Sequence, residues 1–202
     1  QQYTAEEVAA LIDEAHMHGR KVAVHAHGAI GIKVAIRAGV DTVEHASMID
    51  DEGLQLAKKH GTYLSMDIYN TEYTQSEGPK RGELEEFLRK DREIAEIQRE
   101  NFRKAVKLGI KLTMGTDTGV HPHENAPRQL AWMVRYGMTP MQAIQAATLT
   151  GAEALGLKQE TGAIESGRSA EIIAVKGDPL ADIRILEAVN FVMKGGVVYK
   201  SE

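Results

Sequence analysis

The sequence predicts an α/β protein whose strands run parallel and are joined by crossover helices. Two patterns carry that expectation: short apolar runs alternate four times with helical stretches up to Asp117, and the chain then closes on consecutive helices and short Gly-separated strands. Of the 202 residues, 43% are hydrophobic and 26% charged, which suits a soluble globular chain with a sizeable core.

The elements follow in order. Thr4 with Glu7 forms a capping box, and Val8, Leu11, Ile12 and Ala15 repeat at helical spacing until Gly19. "VAVHAHG", Val22 to Gly28, reads as a buried strand that ends in two histidines. "IGIKVAIRAG" is a helix closed by Gly39, "VDTVEHA" a second strand and "DDEGLQLAKKHG" a helix. "TYLSMDIY" has the residue types of a third strand. A loop rich in Gly, Pro and charge, "TEYTQSEGPKRG", leads to a long charged helix from Glu83 to about Leu108, and "IKLTMGTDTG" is a fourth strand ending in an aspartate. "NAPRQLAWMVRYG" and "TPMQAIQAATLTGAEALG" then read as two helices, the second with Thr139 as N-cap and Pro140 at its first position. "TGAIESGRSAEIIAVKGDP" and "VNFVMKGGVVYKS" read as short strands of a small β appendage.

Composition narrows the partners. The net charge is −5 and no Lys/Arg stripe is present, so nucleic acid and anionic membrane are not expected, while a small-molecule substrate is. With no cysteine, disulfides and thiolate metal sites are excluded, leaving His and carboxylate as the strong ligands. No apolar run approaches the roughly 20 residues of a membrane span. Localisation stays open, with the cytoplasm favoured. The chain opens "QQYTAEEV" without Met and enters a helix at once, so an upstream segment is expected.

In parallel α/β folds, ligands bind beyond the carboxyl ends of the strands. His25, His45 and Asp117 stand at or near the ends of the first, second and fourth strands. One histidine at a strand end is ordinarily a hydrogen-bonded core or surface residue. Three ligand-type residues on one rim instead point to a divalent metal, with zinc the default for N/O donors. His27 shares a face with His25 by strand alternation and is a candidate ligand, substrate contact or partner of a ligand. His121 and His123, in the loop after the fourth strand, are candidates for touching substrate or for standing in solvent. His16, His18 and His60 suit helix C-termini, and the eight methionines read as core filling. "HAHGAIG" carries only a fragment of a phosphate-loop fingerprint, since Gly28 and Gly31 lack a Lys-Ser/Thr pair.

"VHAHG", "VEHAS" and "TMGTDTG" resemble the last metal-binding strands of the amidohydrolase superfamily, in its prolidase-like and imidazolonepropionase-like branch. "GMTPMQAIQAATLTGAEALGL" and "TGAIESGRSAEIIAVKGDPLADI" are similar to that branch's closing helix and its return to a β-sandwich domain. The resemblance implies a (β/α)8 TIM-type barrel, of which residues 1–157 would be the strand five to eight half and residues 158–202 part of the β-sandwich appendage. It implies His25 as the fifth-strand ligand, His45 as the sixth-strand histidine and Asp117 as the eighth-strand aspartate, holding one or two divalent ions, zinc by default. In single-metal members the sixth-strand histidine contacts substrate instead.

The chain also departs from the family. The first-strand His-x-His has no counterpart, and the fourth-strand lysine would fall just before Gln1. Gly28 stands where imidazolonepropionase-like and deaminase members carry a glutamate, which argues for peptide-like amide hydrolysis. Glu171 replaces a tail aspartate, a change expected to be structural. The expected activity is cleavage of a C–N amide bond, in a dipeptide or similar small substrate, by a metal-activated water with Asp117 as general base. His45 would bind metal or steady the oxyanion, and His27, Tyr69, His121 and His123 would recognise substrate. The alternative is an inactive remnant acting as a binding or oligomerising module. A homo-oligomer, or association with the missing barrel half, is expected because an open strand edge is a pairing template.

Overall fold

The computed structural model describes residues 1–202. Strands β1 (Ala23–Gly28), β2 (Thr42–Met48), β3 (Tyr63–Ser65) and β4 (Leu112–Thr113) form one parallel sheet in sequence order. Helix α1 (Ala5–Met17) precedes the sheet, and α2 (Ala29–Arg37), α3 (Asp51–His60), α4 (Asn70–Glu77) and α5 (Glu85–Leu108) connect its strands. Both expected caps form: Thr4 and Glu7 close a capping box on α1, and Thr139 accepts from the Gln142 amide at the start of the helix Pro140–Ala147; Asp50 adds a further cap on α3 by accepting from the Gly53 amide. Downstream lie α6 (Arg128–Arg135), α7 (Pro140–Ala147) and α8 (Leu149–Ala154), then a separate antiparallel sheet of β5 (Ile172–Ala174), β6 (Phe191–Lys194) and β7 (Val197–Ser201). Gly195 and Gly196, at φ 56° and 79°, make the tight turn between β6 and β7. The Gly195 amide donates to Glu171, so the tail glutamate braces this hairpin.

The core lies between the parallel sheet and its helices. Val43 and Leu64 from β2 and β3 meet Ile32, Ile36, Leu54 and Phe102, all fully buried. On α5 the buried positions Leu88, Ala95, Gln98, Arg99, Phe102 and Ala105 recur at helical spacing, so a helix rich in charge still presents one inward stripe. The Arg99 guanidinium lies 4.6 Å from the Trp132 ring centroid and 5.5 Å from that of Tyr136, joining α5 to α6.

Several expectations are corrected. β1 is an edge strand with none of its six residues buried, because no strand pairs on its other side. The third and fourth strands stop at Ser65 and Thr113, earlier than their apolar character suggested. The expected loop after Tyr69 is α4 plus a short 3-10 turn at Pro79–Arg81, held where Gln75 and Thr71 bond Asp91 of α5. The long closing helix breaks into α7 and α8 at Thr148, whose backbone leaves helical geometry at φ −125°, ψ −90°. Of the methionines, Met66 and Met133 fill the core, whereas Met17, Met48 and Met141 are exposed.

Candidate metal centre

Backbone geometry marks the site first. Only three non-glycine residues have positive φ: His45 (65°), Ala46 (47°) and Asp117 (48°). Such conformations cost on the order of 1–3 kcal/mol each and persist where the surroundings over-determine them. In β2 they coincide with a register shift against β1 between Ala26 and Gly28. The bulge re-aims the His45 side chain.

Alternation along β1 places His25 and His27 on one face, with ring centroids 4.8 Å apart. The His45 ring lies 4.6 Å from each. Potential ligand atoms of His25, His27 and His45 all lie within 4.8 Å of one another, and the same holds for His45, Asp67 and Asp117. His45 therefore belongs to both groups, His25 to the first alone and Asp117 to the second alone. Asp117 itself lies beyond the end of β4, in the turn that follows.

Each anchored ring has one nitrogen engaged and one left over. His45 Nδ1 donates to Asp67 Oδ1 at 2.9 Å, and His27 Nδ1 pairs with Ser47 Oγ at 2.9 Å. Gln98 also donates to Asp67 Oδ1 at 3.1 Å, and the Asn70 amide links Asp67 Oδ2 (2.7 Å) to Asp117 Oδ2 (3.2 Å). The hydrogen bond that His45 donates to Asp67 raises the His45 pKa against the opposing effect of burial. Burial pushes the Asp67 carboxyl up, but its His45 hydrogen bond and the imidazolium charge outweigh this, so the net direction is down. Burial first, then the neighbouring His45 and His25, lower the His27 pKa, so it resists a positive charge.

The other expected residues stand further out. Tyr69 is 5% exposed, with its amide donating to Gln129 Oε1 and its hydroxyl accepting from Arg128 at 3.3 Å. The His121 ring is buried 5.2 Å from that of Tyr69, its nitrogens 3.0 Å from the carbonyl oxygens of Pro122 and Thr116. The ring is thus held against the turn next to Asp117 and does not stand in solvent, the other of its two expected placements. His123 is exposed in a short 3-10 turn.

Sequence reasoning passed over Asp67, Asn70 and Gln98. Asp67 follows β3 as Asp117 follows β4, and that parallel placement was the available signal. The two amides carry no such signal, since Asn70 stands just before a stretch read as loop and Gln98 in a charged helix.

With fold and site in view, the class is clear: the chain belongs to the amidohydrolase family, whose profile it matches over residues 1–200. It is 34% identical over 205 residues to the ochratoxinase of Aspergillus niger, covering 98% of this chain and 42% of that protein. It superposes with a TM-score of 0.93 on a Xaa-Pro dipeptidase solved with methionine in its active site, at 41% identity over 99% of this chain and 50% of the other. A putative prolidase from Bifidobacterium longum matches at 30% identity and a TM-score of 0.90, over the whole of this chain and 53% of that one. The chain spans about half the length of the relatives it matches. No helix is long and apolar enough to cross a membrane.

Proposed function

We propose that this chain is the strand five to eight half of a (β/α)8 amidohydrolase and contributes to cleaving a C–N amide bond in a dipeptide or similarly small substrate. The observation that carries the reading is the convergence of two imidazoles and two carboxylates on His45. The likeness to a Xaa-Pro dipeptidase and an ochratoxinase supports the amide class. Residues 1–157 form the barrel portion and residues 158–202 part of the β-sandwich appendage. In support, the parallel sheet keeps sequence order, and an apolar groove of about 720 Å³ lies along the open β1 edge, between Val8 and Leu11 of α1 and Val24 of β1. The complementary barrel half is the partner this groove fits best, and a homo-oligomer formed through the same edge is the alternative.

The donor set fits a divalent metal. His25, His45 and Asp117 would hold it, with zinc the default for nitrogen and oxygen ligands. Anchoring of the His45 and His27 Nδ1 atoms by Asp67 and Ser47 leaves Nε2 of each ring available, the usual arrangement around metal-binding histidines. When bound, the ion supplies Lewis acidity toward the scissile carbonyl and lowers the pKa of a water to about 7. Asp117 takes the proton of the attacking water and passes it to the leaving nitrogen. His45 holds the ion or steadies the developing oxyanion. His27, Tyr69, His121 and His123 are the proposed substrate contacts, and His121 also bonds within the turn beside Asp117.

Elemental analysis of the purified chain, alone and with an upstream barrel half, tests the reading. A stoichiometric divalent ion and dipeptide hydrolysis by the completed barrel are expected. Asp117→Asn should lower kcat by about 10²–10⁴-fold while leaving the fold intact. A fully active Asp117→Asn variant would reject the proposed base, and a completed barrel without metal or turnover would favour the inactive remnant.

A further inference from the structure

The bulge at the end of β2 is held from outside the sheet. Pairing of β2 with β3 ends at Glu44 and Ser65, so the strained residues that follow have no β3 partner. Helix α5 takes over. Gln98 Nε2 donates to the His45 carbonyl oxygen at 3.1 Å, and Asn101 Nδ2 donates to the Ser47 carbonyl oxygen at 3.1 Å. The two amides are three residues apart, hence on one helical face, and each is only 7% exposed.

Gln98 does more than Asn101. Its amide nitrogen also donates at 3.1 Å to Asp67 Oδ1, the same oxygen that accepts from His45 Nδ1. Both neighbours of that nitrogen are acceptors, so the amide must present its NH2 and not its oxygen to them. Its two hydrogens are then divided between the backbone of His45 and the carboxylate that orients the His45 ring. Main chain and imidazole are tied to one point on α5.

We propose that Gln98 is a positioning residue for His45: it holds the left-handed turn and Asp67 as a unit, so that the ring keeps its proton on Nδ1 and offers Nε2 to metal or substrate. The proposal rests on the reading of His45 as a working site residue and adds what selects its tautomer. Glutamate at position 98 has the same shape but would confront two acceptors with a third. Methionine has similar length and helix preference but no donor.

Nitrogen–proton correlation spectra of the histidine rings test this on the metal-free 202-residue chain, at a pH well above the imidazole range. The parent should show His45 as the Nδ1–H tautomer. Gln98→Met should move the tautomer ratio toward Nε2–H by about tenfold and weaken zinc binding, read by chelator competition, by about 10–100-fold. Asn101→Leu removes the neighbouring clamp without touching Asp67 and should leave the tautomer as in the parent. A Gln98→Met chain with unchanged tautomer and zinc affinity would overturn the proposal, as would an equal tautomer shift in Asn101→Leu. If Gln98→Met fails to fold, Gln98→Glu carries the same two readouts with the same interpretation. A parent that binds no zinc sinks the metal reading alone, because the tautomer comparison needs no ion, whereas a parent with His45 as Nε2–H sinks this one.

Discussion

Gly115 lies two residues before Asp117, where the chain leaves β4 beside β3. A Cβ placed on it would stand 2.2 Å from Ser65 Oγ, while the next nearest atoms, also of Ser65, are at 3.4 Å. One hydroxyl oxygen therefore makes the whole obstruction, more than 1 Å inside ordinary contact. Ser65 is buried, so the strain of Gly115→Ala is expected to cost about 1–3 kcal/mol, as overpacking does elsewhere. Ser65→Ala removes the obstructing atom. In that background Gly115→Ala meets only ordinary contacts, and because φ at Gly115 is not positive, alanine also narrows the unfolded ensemble. The second substitution should then be neutral or stabilising by up to about 0.5 kcal/mol, giving a coupling of about 1–3 kcal/mol in a double-mutant cycle. Urea unfolding of the four variants, followed by far-ultraviolet circular dichroism, measures it. Additive effects, with coupling below about 0.3 kcal/mol, would refute the packing argument. The same cycle should also appear in zinc affinity, since a displaced residue 115 carries Asp117 with it.

Two further outcomes test the scaffold. Phe102→Ala empties a fully buried site between α5 and the sheet and should cost about 3–5 kcal/mol, a large share of a typical 5–15 kcal/mol stability; unchanged thermal unfolding would mean that α5 does not pack as described. Asp41 accepts from Lys21 Nζ (2.6 Å), the Val22 amide (2.8 Å) and His16 (2.8 Å), joining α1 and the start of β1 to the start of β2. Burial raises its carboxyl pKa, but the Lys21, Val22 and His16 bonds outweigh burial and hold it below the ordinary carboxylate value. A depressed native pKa stabilises above the unfolded value, and that contribution fades as pH falls through the native one. Asp41→Asn should therefore lose about 1 kcal/mol near neutrality and show a shallower acid decline than the parent, measured as unfolding midpoint against pH. An equally steep decline would exclude Asp41 as a contributor.

The parts of the site that the sequence disclosed are those fixed by strand periodicity. His25 and His27 alternate on a short apolar run, so their shared face follows from the strand itself, whereas His45 stands opposite Ala26 in the register and its ring reaches them only through the bulge. Asp117 was legible for the weaker reason that it follows a fourth apolar segment. Asp67 was obscured because "SMDIY" continues an apolar pattern past the point where β3 ends at Ser65. The α4 helix was obscured because it has no apolar stripe of its own and is held by polar bonds from Thr71 and Gln75 to Asp91. The left-handed turn at His45 and Ala46 is a tertiary product, sustained by amides some fifty residues away on α5, and no local propensity announces it.

Trp132 is the single indole of the chain, and it faces two guanidinium groups, Arg99 at 4.6 Å and Arg135 at 4.5 Å, with the Tyr136 ring stacked 5.6 Å away. Arg99 adjoins Gln98, so the fluorophore sits next to the segment that steadies His45. Its emission is thus a built-in optical gauge of that junction: any loosening of α6 from α5 changes the colour and brightness of one lamp, with no label attached.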